Sequence, residues 1–290
     1  MKKPSSPGLR LVVASLVAHT VSQAALISHD SFTGYTPGYL PANPSPAVTG
    51  YTGSWGDAAF GNAEPAITSG SLTYGDGLYA GSSGDMVSKG ADAGGIGADN
   101  SGRTFRLLDS TLAVGATTSG TLYLSWLFQT GNENAAANPN TYQTLALWNG
   151  DAGTDSLRDF EAGIAGGDFA TGNYGYRVDS NTPVNLGVAA DATVHLFVAK
   201  FELNATADSD SVTVWLDPAL GGTGDPTGGF TLSGRNLAWD RLVLSDFASN
   251  SSAWDEVRWG SDFNSVTVPE PATAALGSLA VLILLRRRRN

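Results

Sequence analysis

Thr121 to Gln129 reads TLYLSWLFQ, and further on Thr193 to Phe201 (TVHLFVAKF) is followed by Ser211 to Leu216 (SVTVWL). In the first of these, Leu122, Leu124, Trp126 and Phe128 occupy every second position. A side-chain period of two belongs to a pleated strand with one face turned to a core, whereas a helix repeats every ~3.6 residues. The other two segments read as the arms of a hairpin joined by the polar loop Glu202 to Asp210. Asp217-Pro218 closes the second arm, because proline has no N–H to give to a ladder.

The same texture continues outward. Ala25 to Phe32, Trp55 to Ala59, Ile67 to Tyr74, Thr104 to Leu108, Tyr142 to Trp148, Phe160 to Ile164, Tyr174 to Val178, Arg241 to Ser245 and Asp255 to Trp259 read as strands. Gly34 to Pro46 and Gly81 to Gly97 read as loops. Gly, Ser, Thr, Asn and Asp supply tight turns, while seven Trp, 11 Phe and nine Tyr give the chain enough to bury. Away from its two ends, no 15-residue stretch carries a helical period. The expected fold is all-β: one two-sheet antiparallel sandwich over residues 25–266, with no linker or repeat to divide it.

The ends have a different character. Lys2, Lys3 and Arg10 lead into the apolar run Leu11 to Ala18, and Ser22-Gln23-Ala24 offers small residues before Ala25. That pattern predicts a signal peptide over residues 1–24, cut between Ala24 and Ala25. At the other end Val268-Pro269-Glu270-Pro271 opens into Ala272 to Leu285, which carries no charge, and Arg286, Arg287, Arg288 and Arg289 follow. As a helix, about 15 residues would reach roughly 22 Å, against a hydrocarbon core of ~30 Å. Local thinning and arginine stems extending to the headgroups make up the difference. The arginines belong in the cytoplasm, which leaves everything before Pro269 outside. An amphipathic helix packed on the domain is the other reading, but the run has no polar face.

Between these ends lie nine Lys and Arg against 26 Asp and Glu, a net charge of −17. So acidic a surface argues against nucleic acid and anionic lipid as partners and leaves room for a divalent cation. Cysteine is absent, which excludes disulfide staples, thiolate metal sites and thiol nucleophiles.

The Pro-Glu-Pro motif, apolar helix and terminal arginine cluster, in that order over residues 267–290, resemble the PEP-CTERM sorting signal of Gram-negative and related bacteria. The resemblance implies an integral-membrane exosortase as processing partner, cleavage near the motif, and delivery to the cell surface or extracellular matrix. Within the domain, Val194 to Lys200, Val212 to Pro218 and Asp255 to Gly260 are similar to the back half of a concanavalin A-like (laminin G-like) jelly roll. That likeness implies a last strand returning beside the first, with the region of Val257 against the region of Ile27. The reading of the chain as a whole is a non-enzymatic surface or matrix protein whose work is adhesion, polysaccharide interaction or structure.

Residues that could carry chemistry are few. His19 leaves with the signal peptide, and His195 shares a face with Phe197 and Phe201, as a packed strand residue would. There is no His-Glu-x-x-His, no Gly-x-Ser-x-Gly and no phosphate-binding glycine loop. Glycosidases of this jelly-roll group carry their acids in a Glu-x-Asp-x-(x)-Glu strand. Of Glu64, Glu133, Glu161, Glu202 and Glu256, none repeats at that spacing, and Asp159-Phe160-Glu161 and Asp255-Glu256 come nearest. No catalytic residue is assigned, and a carbohydrate-active enzyme is the alternative reading. For a sugar platform the candidates are Trp148, Trp215, Tyr174 and Tyr176, each of which could instead fill the core. Laminin G-like domains hold calcium at one rim, which makes Asp208 with Asp210, and next Asp151 with Asp155, the candidate calcium ligands. Acidic turns also serve as plain turn caps.

Overall fold

The computed structural model describes residues 25–42, 44–57, 65–75, 79, 84–89, 102–131, 142–152, 154–165, 172–179, 182–222, 224–247 and 251–267. The expected signal peptide with Ser22 and Ala24, and the expected sorting tail with Val268, Pro269, Glu270, Pro271 and Arg286 to Arg289, lie outside these residues. Among the described residues, no helix is long and apolar enough to cross a membrane.

Two antiparallel sheets face each other. The larger, sheet A, runs in the order β14 (Phe230–Arg235), β13 (Asp210–Leu216), β12 (Val194–Leu203), β7 (Gly120–Thr130), β16 (Ser252–Gly260), β5 (Asp85–Lys89), β4 (Ala66–Ser69) and β2 (Gly38–Tyr39). The first half of β16 pairs with β5, and its second half takes β1 (Leu26–Asp30), with Leu26 opposite Gly260 and Asp30 opposite Val257. The last strand therefore does return beside the first. Sheet B runs β11 (Thr182–Ala189), β10 (Asn173–Val178), β9 (Arg158–Ala165), β8 (Tyr142–Trp148), β15 (Arg241–Phe247), β6 (Gly102–Leu108) and β3 (Tyr51–Asp57). One short helix, α1 (Phe263–Thr267), ends the described chain.

The alternation in the sequence explains the core. Leu124, Trp126 and Phe128 of β7 are fully buried between the sheets, and β12 sets Phe197 and Phe201 beside them on the same face. The rings of Trp126 and Phe197 stack with centroids 5.0 Å apart, and Phe201 meets Phe160 of the opposite sheet edge-on at 5.1 Å. Aromatic pairs of this geometry contribute about 0.5–1.5 kcal/mol beyond the area they bury. The β12–β13 hairpin forms with Glu202 opposite Ser211, so both ends of the expected loop Glu202 to Asp210 are taken into strands, and β13 stops at Leu216 before the proline.

Some expectations need correction. The glycine-rich stretch 81–97 contains β5, which passes between β4 and β16. β14 and β11, at the sheet edges with mainly exposed side chains, are further strands; their apolar alternations, Val184, Leu186 and Val188 in β11 and Phe230 and Leu232 in β14, are short and interrupted by glycine. The strand beginning near Ile67 ends at Ser69, because Gly70 takes φ +118°. The loop 34–46 holds β2 and a 3-10 turn, Leu40–Ala42. α1 runs through Thr267, one residue into the stretch assigned to the tail.

Candidate functional site

The outer face of sheet A is filled by the chain itself. Phe263 and Val266 of α1 pack with Leu72, Tyr79, Tyr123, Leu127, Leu196, Val198 and Trp215 in a second apolar cluster. Trp215 meets Phe263 edge-on and gives its indole N–H to the Pro226 carbonyl at 3.0 Å. Tyr123 donates to Asp225 at 2.7 Å, and Lys200 pairs with Asp225 at 3.0 Å and Glu202 at 2.9 Å. Beside this cluster β16 bulges, gaining one residue against β7 between Asp255 and Arg258. Glu256 sits in the bulge at φ +54°, a backbone conformation that costs a non-glycine residue roughly 1–3 kcal/mol and collects at functional or tightly determined positions. Its carboxylate is fully buried, accepts from Arg258 Nη2 at 2.6 Å, and meets Nε2 of the partly exposed His29 at 2.6 Å. Asp255 Oδ2 accepts from Ser71 Oγ at 2.6 Å and the Leu72 amide at 2.9 Å, and its Oδ1 takes the Glu256 amide. Burial, followed by the charge of Glu256, pushes the Asp255 carboxyl up to about 7.

The outer face of sheet B carries a cationic strip. Four of the nine Lys and Arg in residues 25–266 lie on it: Arg103, Arg158, Arg177 and Arg241. The guanidinium carbons of Arg103 and Arg158 stand 4.8 Å and 5.5 Å from the centre of the Trp148 ring. Glu161 lies between Arg158, at 2.5 Å, and Arg177, and both guanidiniums contact its carboxylate. The chemistry the strip displays is ion pairing, one carboxylate held between two guanidiniums. Asp159 occupies a bulge between the Phe160–Leu147 and Arg158–Trp148 pairs, so it is not displayed beside Glu161 as plain alternation would suggest. Its carboxyl is pushed up to about 7 by burial and by Asp179.

A third cluster lies where β12 begins. His195 Nδ1 meets Asp217 at 2.6 Å, and its Nε2 meets Asp191 and Thr193 Oγ1 at 3.0 Å each. Its ring rests 4.7 Å from that of Tyr174. Burial lowers the imidazole pKa, but the hydrogen bonds and charges of Asp217 and Asp191 outweigh it and raise it above the ordinary value. The side chain is packed, as its strand face predicts; the two aspartates bracketing it had no local signal.

These titrations share one sign. A group whose pKa is raised by folding contributes stability in full below its unfolded value and loses it as pH rises through the folded one. For Asp159 and Asp255 the loss extends from about 4 to about 7, and for His195 it begins near 6.5. The thermal midpoint is therefore expected to be higher near pH 5 than near pH 8, by on the order of 5–10 °C. A scan at fixed ionic strength checks this, and a midpoint that is flat or climbs toward pH 8 contradicts it.

The structure does not assemble the predicted sugar platform. Tyr174 and Tyr176 are fully buried on the inner face of β10, Trp148 is buried beneath its arginines, and Trp215 lies under Pro226 and α1. All four occupy core-facing or covered strand positions, so no pyranose can stack on them. The calcium candidates are also differently employed. Asp210 is buried and gives one oxygen to the Asn204 amide at 2.7 Å and the other to the Leu237 amide at 2.8 Å, as a turn cap does. Asp208 is an exposed turn residue at φ +56°, and near it Arg235 supplies a cation 3.5 Å from Asp179. Asp151 accepts from Thr154 Oγ1 at 3.3 Å, and Asp155 lies in the 3-10 turn Asp155–Leu157. Among the described residues, no three His, Asp or Glu gather as a metal site.

No family model matches the chain, and no curated protein matches it. Among solved structures it is similar to the catalytic domain of a glycoside hydrolase family 131 protein from Coprinopsis cinerea, at 14% identity and a TM-score of 0.48 over 85% of this chain and 99% of that one. It is also similar to a botulinum neurotoxin type C structure (7% identity, TM-score 0.44, 80% of this chain) and to the binding domain of Paraclostridial Mosquitocidal Protein 1 (8%, 0.40, 69%). The chain spans 49% and 45% of those two chains. Likenesses this distant say nothing of what this chain binds or does.

Proposed function

We propose that this is an exported bacterial surface or matrix protein, a concanavalin A-like jelly roll carried as cargo by a C-terminal sorting tail. Its work is non-enzymatic: adhesion, polysaccharide interaction or structure in the extracellular layer. The observation that carries the reading is the ordered triple of Val268-Pro269-Glu270-Pro271, the uncharged run to Leu285, and Arg286 to Arg289. Recovered from the producing bacterium, the mature protein is expected to begin at Ala25 and to lack Arg286 to Arg289. Intact mass and N-terminal sequencing test this, and a mature chain retaining both ends would overturn the reading.

A further inference from the structure

We propose that β14 is a docking edge for a second copy of this chain: two β14 strands pair antiparallel about a two-fold axis and join two copies of sheet A into one. β14 ends sheet A and pairs with β13 alone, so its far side carries no ladder. Such an edge is a template for any strand, and natural proteins blunt it with charge, proline, bulges or brevity. The other edge strands carry these devices. β2 has two residues, β1 is bulged between Leu26 and Ser28, and β3 shifts register between Thr52 and Gly56 and ends on Asp57. β11 has Pro183 as its second residue and Gly187 at φ +74°. Most of β14 lacks all of them. Phe230 to Ser233 stand in unbroken register opposite Val214 to Ser211, and the ladder shifts only past Ser233, where Gly234 takes φ +72°.

Charge and shape fit a copy of the same strand. Residues 25–266 carry nine Lys and Arg against 26 Asp and Glu, so two molecules repel over most approaches. Pro226 to Gly234 holds no charge at all. Phe230 and Leu232 lie opposite Val214 and Val212, which belong to the core between the sheets, so their side chains lean over the open flank of the sandwich. Leu232 packs partly on that core, while Phe230 is 40% exposed. Two strands related by such an axis keep a continuous sheet when like faces stand opposite each other. Centred on Leu232, the axis sets Leu232 against Leu232, Thr231 against Ser233, and Phe230 against Gly234. A Cβ built on Gly234 would meet only the Asp208 carbonyl oxygen, at 3.8 Å, so the ring has room there. The contact is isologous and uses the one β14 of each copy, so it closes at two. Few residues take part, and a dissociation constant on the order of 10 µM is expected.

Sedimentation of the purified full-length chain over a concentration series tests the contact, and the mass is expected to rise from one copy to two and no further. Thr231 and Ser233 are exposed on the outer face, where Thr231 meets Thr213 at 2.9 Å. Thr231→Lys with Ser233→Lys sets lysine against lysine twice across the axis and should weaken association at least ~10-fold. Thr231→Glu with Ser233→Lys puts opposite charges in the same places and should restore it. The chain has no cysteine, so Leu232→Cys introduces its single thiol. Across the axis the two Cα atoms would stand about 4.5–5.5 Å apart, within disulfide reach. Mild oxidation should convert Leu232→Cys to a covalent pair, whereas Leu107→Cys, at a more exposed position on sheet B, should stay single. A wild-type chain that remains one copy throughout, association that the paired lysines leave intact, or Leu232→Cys that cross-links no faster than Leu107→Cys would each overturn the proposal.

Discussion

Arg106→Met is expected to lower the unfolding free energy by about 3–5 kcal/mol, the range for removing one partner of a buried ion pair. Arg106 comes from β6 but points into the space between the sheets, a position where alternation would place a hydrophobe. Its Nη1 reaches Asp30 Oδ2 at 2.9 Å and the Tyr35 oxygen at 2.7 Å, and Tyr35 donates in turn to Asp30 at 2.8 Å. Nη2 and Nε donate to the carbonyls of Pro46 at 2.7 Å and Gly53 at 3.2 Å, and the guanidinium lies over the Tyr51 ring. One side chain thus fastens β1, the loop after it and the approach to β3. Without it, Asp30 must be protonated or left as an unpaired buried anion. Burial already pushes Asp30 up, and Arg106 is the principal force opposing that. Asp30→Asn combined with Arg106→Met should recover part of the loss, because no charge is then stranded. Chemical denaturation of the three variants checks both statements. A single variant within about 1 kcal/mol of the parent would mean that the pair contributes no more than an exposed one.

Gly163→Ala is expected to cost roughly 3 kcal/mol and to appear as a lowered denaturation midpoint. Gly163 sits within β9 at φ +143°, a conformation open to glycine, and a Cβ there would lie 2.2 Å from the Gln143 carbonyl oxygen. The neighbour is backbone of β8, so it can yield only by opening the ladder between the two central strands of sheet B. Gly187→Ala is a useful control: it lies in β11 at φ +74° with nothing within 4 Å of the added carbon. Its penalty should be limited to backbone strain, about 1–2 kcal/mol.

How much of this was legible in the sequence follows from what each residue must satisfy. β7 and the β12–β13 hairpin could be read from the alternation of large apolar residues at their inter-sheet positions, although Tyr123, Leu127, Leu196 and Val198 on the other face are buried as well. β11 and β14 were harder, since Val184, Leu186 and Val188, and Phe230 with Leu232, alternate only over short runs broken by Pro183, Gly187 and Gly234. The core role of Tyr174 and Tyr176 was open in advance, because a strand tryptophan or tyrosine serves a core and a sugar platform with the same spacing. The Asp255–Glu256 corner was harder still. His29 and Glu256 meet across 227 positions of sequence, and the bulge that brings them together exists only once β16 has both neighbours. Arg106 was equally hidden, since an arginine in a strand gives no hint that a distant loop and the neighbouring strand β3 will offer it carbonyls.

The placement of β16 has a consequence for the order of folding. This strand follows all the other described strands in sequence, yet it lies in the middle of sheet A, with β7 on one flank and β5 and β1 on the other. Until Ser252 to Gly260 have emerged, β1 has no neighbour and β7 lacks one of its two. Sheet A therefore stays open until the polypeptide has been made through Gly260, and it closes in one step when β16 enters between its neighbours.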